Sequence, residues 1–204
     1  MRTLGRITGD LIVLLAAALA AGCGERTNSP TTTGVGSRPL NATQNVLDTF
    51  EKSWNDMSAA KYAALLSDDF SFTLAPRDVG HDPSLNWPRS DEVTIAERFF
   101  SKTVPNADGY VADAITLGFD HAVTPDHVNG WTRIALTHVA LTVKARHYLT
   151  GAPIDYRVLE DDDQWLWLAP EGGTWKIMRW EDRPLNDPPG LPSCWGRIKE
   201  KWRP

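Results

Sequence analysis

Three side chains have the type and the setting to move protons. Asp113 shares strand parity with Val111, Ile115, Leu117 and Phe119, so alternation places its carboxylate on an otherwise apolar face. Burial there without a partner would raise its pKa and fit it for general acid or base work. The alternative is a strand that begins only after it and leaves Asp113 solvated. His138 falls mid-strand among apolar neighbours, where it serves either as a satisfied core histidine or as a base. Tyr62 is the third candidate proton carrier. His81, His121 and His127 show none of the HxH, HExxH or histidine-plus-carboxylate spacings that hold a metal. The run Glu160-Asp161-Asp162-Asp163 lacks the spaced ligands and turning glycine of a calcium loop and reads as a solvated turn. No nucleophile elbow, P-loop or dinucleotide fingerprint is present. Neither a metal nor a cofactor is expected.

Nine tryptophans in 204 residues point to a deep aromatic core, a lined pocket, or both. Trp54, Trp167 and Trp180 are the candidates to line a ligand site. The 42% hydrophobic and 23% charged fractions belong to a globular protein and are too apolar for a disordered one.

The start of the chain reads as an address. Arg2 and Arg6 precede an uncharged run of 12 residues, Leu11 to Gly22. A helix needs about 20 apolar residues to cross a bilayer, so this run is too short to span and has the length of a signal-peptide core. It ends in Ala20-Ala21-Gly22-Cys23, which resembles the bacterial lipobox, where small residues admit the peptidase and the cysteine thiol takes on lipid before cleavage. Ala20 stands where leucine is commonest, and an ordinary secretory signal with an incidental Cys23 is the alternative. Residues 1–22 are thus expected to be a lipoprotein signal peptide, with Cys23 lipidated. Gly24 follows, where aspartate often marks inner-membrane retention, so the expected location is the cell envelope, on the outer membrane facing the periplasm if the host has two membranes. Removing everything before Cys23 leaves 19 basic and 25 acidic residues, a net charge of −6, which argues against nucleic-acid binding.

Gly24 to Pro39 holds one large apolar residue, Val35, and cannot offset its own ordering entropy. Residues 23–40 therefore read as a lipidated flexible linker reaching at most roughly 50 Å. Beyond it, Asn41 and Gln44 have the spacing of a capping box; Val46, Leu47, Phe50, Trp54 and Met57 then form one stripe, which predicts a helix over about 42–56. Ser58 caps a shorter helix through Leu66, with Met57 and Tyr62 placed as a hydrophobic staple. Phe70 to Leu74 alternates as a half-buried strand. Ala75 to Arg89 is a proline-rich long loop. Ser90 caps a third helix to about Lys102, with Asp91 and Glu92 at its positive end and Ile95, Ala96, Phe99 and Phe100 as its buried face. From Tyr110 to Asp182 the chain reads as sheet, with a turn at Pro170-Glu171-Gly172-Gly173. Helices early and strands late give an α+β domain. The tail, 183–204, is rich in proline and tryptophan and basic; Trp195, Ile198 and Trp202 at helical spacing either touch anionic lipid or pack back on the domain. Cys194 in that tail is a thiol or bridges to another molecule.

This order resembles the nuclear transport factor 2-like superfamily, with its SnoaL-like and ketosteroid-isomerase-like members. Phe50-Glu51-Lys52-Ser53-Trp54-Asn55-Asp56 running into Tyr62 to Phe70 carries part of the likeness. Gly173 to Asp182, similar to the Trp-(Lys/Arg)-Ile...Trp-x-Asp closing strand of many members, carries the rest. The likeness spans roughly 41–182. It implies a curved antiparallel sheet wrapped around about three N-terminal helices, enclosing a cone-shaped cavity that different members use for catalysis, ligand binding or dimer-supported protein contacts. No segment matches a catalytic set of those members, so the likeness assigns no active-site role.

Three functions stay open. The first is a membrane-anchored lipoprotein whose cone binds a small apolar ligand or a partner protein without catalysis. The second is a cavity enzyme, a lyase, isomerase or hydrolase acting on an apolar substrate, with at least two of Asp113, His138 and Tyr62 facing inward. The third is a structural partner in an envelope assembly. A homodimer through the open sheet face is compatible with each.

Overall fold

The protein is described from a computed structural model over residues 39–74, 86–125, 130–158, 163–183 and 194–204. The signal peptide, Cys23, nearly all of the linker, His81, His127, the Glu160-Asp161-Asp162 turn and the prolines of 184–192 lie outside the described residues, as does 75–85 of the expected loop.

Helix α1 spans Pro39–Asn55. It starts ahead of the expected cap, because proline suits the first turn of a helix, where its missing N–H has no partner to lose. Asn41 is therefore inside the helix, and Gln44 donates to Asp48 instead of closing a capping box. Val46, Leu47, Phe50 and Trp54 form its buried stripe. Helix α2, Ala59–Ala63, follows Ser58, whose side chain makes no capping hydrogen bond. Strand β1, Leu66–Leu74, begins four residues before the alternation at Phe70, since Leu66 pairs with Ile177. Asn86–Pro88, expected as loop, is the short edge strand β2, paired antiparallel with β1. Helix α3, Arg89–Phe100, starts directly after Pro88, so Pro88 and not Ser90 holds the cap position.

The remaining strands are β3 (Tyr110–Pro125), β4 (Thr132–His147), β5 (Pro153–Val158), β6 (Asp163–Glu171) and β7 (Thr174–Arg183). A last short helix, α4, covers Trp195–Glu200. The sheet runs β2-β1-β7-β6-β4-β3. Strand β4 is long enough to serve two partners on one edge: Thr132–Leu136 pairs with β6 and Leu141–Arg146 with β5. All pairings are antiparallel except β1 with β7, which makes the curved sheet mixed. The β6–β7 connection turns on Gly172 and Gly173, with φ of 57° and 83°, the left-handed pair that a tight hairpin needs.

Two bulges interrupt the β3–β4 ladder. Asp113 is the extra residue between the pairs Ala112↔Ala145 and Ala114↔Lys144; His138 lies where two residues of β4 oppose Phe119. The core gathers Phe50, Trp54 and Tyr62 from the first helices, Phe99 from α3 and Phe72, Leu166, Ile177 and Trp180 from the sheet. Trp195, Ile198 and Trp202 of the tail belong to the same core, each 0% exposed. Their burial contributes on the order of 2–3 kcal/mol per side chain, and it overturns the lipid-surface option for the tail. Among the described residues, no helix is long and apolar enough to cross a membrane.

Candidate functional site

Helix α3 carries its buried residues at 92, 95, 96, 99 and 100, so the stripe that faces the core begins with a carboxylate. Helix α4 buries Trp195, Ile198 and Lys199, with Trp202 in the turn after it, so its stripe holds an amine. The two meet inside the sheet. Lys199 Nζ lies 3.0 Å from Glu92 Oε1 and 3.0 Å from Oε2, with both side chains 1% exposed. Tyr62 donates its hydroxyl to Oε1 and the Trp87 indole donates to Oε2, each at 2.5 Å. The ammonium sits over the Phe72 ring at 3.4 Å and the Trp180 ring at 3.7 Å, with Trp87 at 5.3 Å.

A second polar cluster holds the start of α4. Asp182 is buried beside it and accepts from Gln164 Nε2 through one oxygen and from the Gly196 N–H through the other, while Gln164 accepts from the Trp180 indole at 2.7 Å. The helix can come this close only as glycine: a Cβ at Gly196 would collide with Leu74 and sit 2.7 Å from Asp182 Oδ2.

Burial governs the electrostatics. It pulls the Lys199 ammonium down to about 8, against the opposing pull of Glu92. Burial, reinforced by the Glu92 charge, raises Tyr62 well above the usual phenol range, so its hydroxyl stays a donor. Asp182 is raised by burial, partly offset by its hydrogen bonds from Gln164 and Gly196, by the Lys199 charge and by the Cys194 thiol. Each oxygen of Glu92 already accepts two hydrogen bonds from the chain's own donors, so as arranged it offers no position to a substrate proton.

Of the three candidate proton carriers, only Tyr62 lies inside. Asp113 does not stay on the apolar face, because the bulge takes it out of the parity of Ile115 and Leu117; it pairs with Arg146 Nε at 2.9 Å with its side chain 41% exposed. Nor does the strand begin after it, as the solvated alternative had it. His138 is no core histidine: its bulge position turns it outward, 76% exposed, against Asp120 at 3.1 Å. Trp54 and Trp180 are buried, and each packs edge-on against Trp195 with ring centroids 4.7 Å apart. Tail rings thus stand where a ligand was expected. Trp167 faces the other side of the sheet with Trp165, where Arg179 covers Trp167 and Arg133 and Arg183 enclose Trp165. Cys194 is fully buried, which rules out a bridge to another molecule. Among the described residues, no group of histidines, cysteines or carboxylates could hold a metal ion.

Glu92, Lys199, Asp182 and Gln164 do not stand out in the sequence as a connected set. A signal was present: Glu92 stands three residues before Ile95 and Lys199 four after Trp195, both on apolar stripes, and Asp182 shares strand parity with Trp180.

Among solved structures, a Novosphingobium aromaticivorans protein provisionally described as an aromatic ring hydroxylase is similar over 72% of this chain and 89% of its own, at 11% identity and a TM-score of 0.50. A ketosteroid isomerase-like protein of Erwinia carotovora atroseptica matches 74% of this chain and 99% of its own at 11% identity and 0.49. A nuclear transport factor 2-like protein of Cytophaga hutchinsonii matches 72% and 99% at 10% identity and 0.45. The chain has the nuclear transport factor 2-like fold. No family model and no curated protein matches the sequence. The nuclear transport factor 2-like cone serves small-ligand binding in some proteins and catalysis in others, and the likeness at this identity speaks for the fold alone. In this chain the cone receives α4.

Proposed function

We propose that the protein is a lipoprotein of the cell envelope, moored through lipid on Cys23, whose nuclear transport factor 2-like domain binds a partner protein and performs no catalysis. One observation supports this reading above the others: Trp195, Ile198, Lys199 and Trp202 enter the core beneath the sheet, each at most 1% exposed. Tail rings packed on Trp54 and Trp180, the residues expected to line a ligand site, argue against a small apolar ligand. The enzyme reading needs two of Asp113, His138 and Tyr62 facing inward and finds Tyr62 alone of these, with its hydroxyl committed to Glu92.

The partner is placed on the outer sheet face, where half-buried Trp165 and Trp167 stand among Arg133, Arg179 and Arg183. Tryptophan and arginine are among the side chains enriched at the energetic centres of protein interfaces. Two measurements test the proposal. Cys23→Ser should move the protein from the membrane to the soluble fraction; unchanged partitioning would remove the anchor. A photo-crosslinking residue at Trp167 in the anchored protein should give a discrete adduct absent for the same probe at exposed Lys52 of α1. An adduct of twice the chain mass would identify the partner as a second copy, and equal labelling at both positions would refute the chosen face.

A further inference from the structure

A helix that only had to fill the cone would carry methionine or leucine at position 199, because burying an ion pair sacrifices hydration that apolar side chains of the same volume never had. The tail also buries the indole N–H groups of Trp195 and Trp202 without partners among the described residues, a further polar cost. Its chemistry is therefore that of a recognised group, and the surroundings of Lys199 show by what. Phe72 comes from β1, Trp87 from β2, Trp180 from β7 and Glu92 from α3, so no wall of the pocket belongs to α4. The walls are held independently of the lysine: Tyr62 and Trp87 fix the carboxylate, Phe72 and Trp87 stack at 4.2 Å with 22° between planes, and Gln164 holds the Trp180 indole. All three rings lie within the roughly 6 Å over which an aromatic face attracts a cation.

We infer that Phe72, Trp87, Trp180 and Glu92 form a recognition site for a primary ammonium group on a short apolar stem, which Lys199 occupies as a ligand built into the chain. Three ring faces supply the attraction for positive charge, and the two Glu92 oxygens at 3.0 Å require N–H donors, which a quaternary ammonium lacks. Asp182, whose charge also acts on Lys199, adds to the preference for a cation. The assignment is independent of the lipid anchor and of the outer-face partner.

The test uses the full chain carrying Cys23→Ser and Lys199→Ala, titrated with n-propylammonium chloride, which restores the deleted atoms. The expected result is a saturable rise in Tm of several degrees. Equal concentrations of 1-propanol or sodium chloride should give none of it, and tetramethylammonium should bind at least tenfold more weakly. Adding Glu92→Gln should abolish the response. If 1-propanol matches n-propylammonium, or the Glu92→Gln combination responds as well, the pocket reads volume and not charge, and the inference is overturned. Where the Lys199→Ala chain does not fold in buffer, the readout becomes recovery of the native near-ultraviolet circular dichroism on refolding. Recovery with n-propylammonium alone supports the site; recovery with neither additive or with both equally refutes it.

Discussion

Lys199 and Glu92 stand 107 positions apart in the chain, yet the ammonium is equidistant, at 3.0 Å, from both carboxylate oxygens and both side chains are shut from solvent. Truncating one member strands the other charge in the core, which typically costs about 3–5 kcal/mol. Glu92→Ala and Lys199→Ala should each lose that much in urea denaturation, whereas Glu92→Gln combined with Lys199→Met, which strands no charge and keeps an amide for Tyr62 and Trp87 to bond, should lose less than either single change. Single losses below about 1 kcal/mol would show that the pair is hydrated in solution.

The same lysine makes stability depend on alkaline pH. Its folded pKa, about 8, lies below the unfolded value of 10.5, so between those values the unfolded chain binds the extra proton and stability rises with pH. Compared with Glu92→Gln combined with Lys199→Met, which has neither group, the parent should gain on the order of 1 kcal/mol per pH unit from pH 8 to 10, with no differential gain below pH 7. Parallel stability curves from pH 7 to 10 would contradict it.

Gly196→Ala sets two effects against each other. Alanine in place of glycine inside a helix gains up to about 1 kcal/mol, but here the methyl meets fully buried Leu74 and Asp182, an overpacking cost of roughly 1–3 kcal/mol. The collision should win and loosen α4. Cys194, buried under the helix start, reports on this: its reaction with a thiol reagent in native buffer should quicken at least tenfold. An unchanged rate and an unchanged Tm would mean that the helix shifts without cost.

His138 tests the bulge. At φ 51° it occupies a region open to glycine and costly for branched side chains. His138→Gly should be neutral or stabilising by up to about 1 kcal/mol, while His138→Val should lose roughly 1–2 kcal/mol, measured by thermal denaturation. Equal stabilities would indicate that the bulge relaxes in solution.

Hydrophobic spacing within the chain determined the broad architecture. The α1 stripe from Val46 to Trp54, the α3 face of Ile95, Ala96, Phe99 and Phe100 and the strands around Gly172-Gly173 each follow from local periodicity, which side-chain direction imposes on any helix or strand. The motif of the closing strand pointed to the fold that the similar structure then supported. Tertiary structure alone decided what the polar residues do. Parity reading failed at Asp113 and His138 because one extra residue in a ladder reverses the face of a side chain, and nothing in composition marks a bulge. Glu92 was readable as an ordinary helix-start acid, and Lys199 as one charge of a basic tail, until the fold brought them together. Charges on two short helices far apart in sequence carry no local sign that they will be buried as a pair; that depends on which cavity the chain's end enters, and packing settles it.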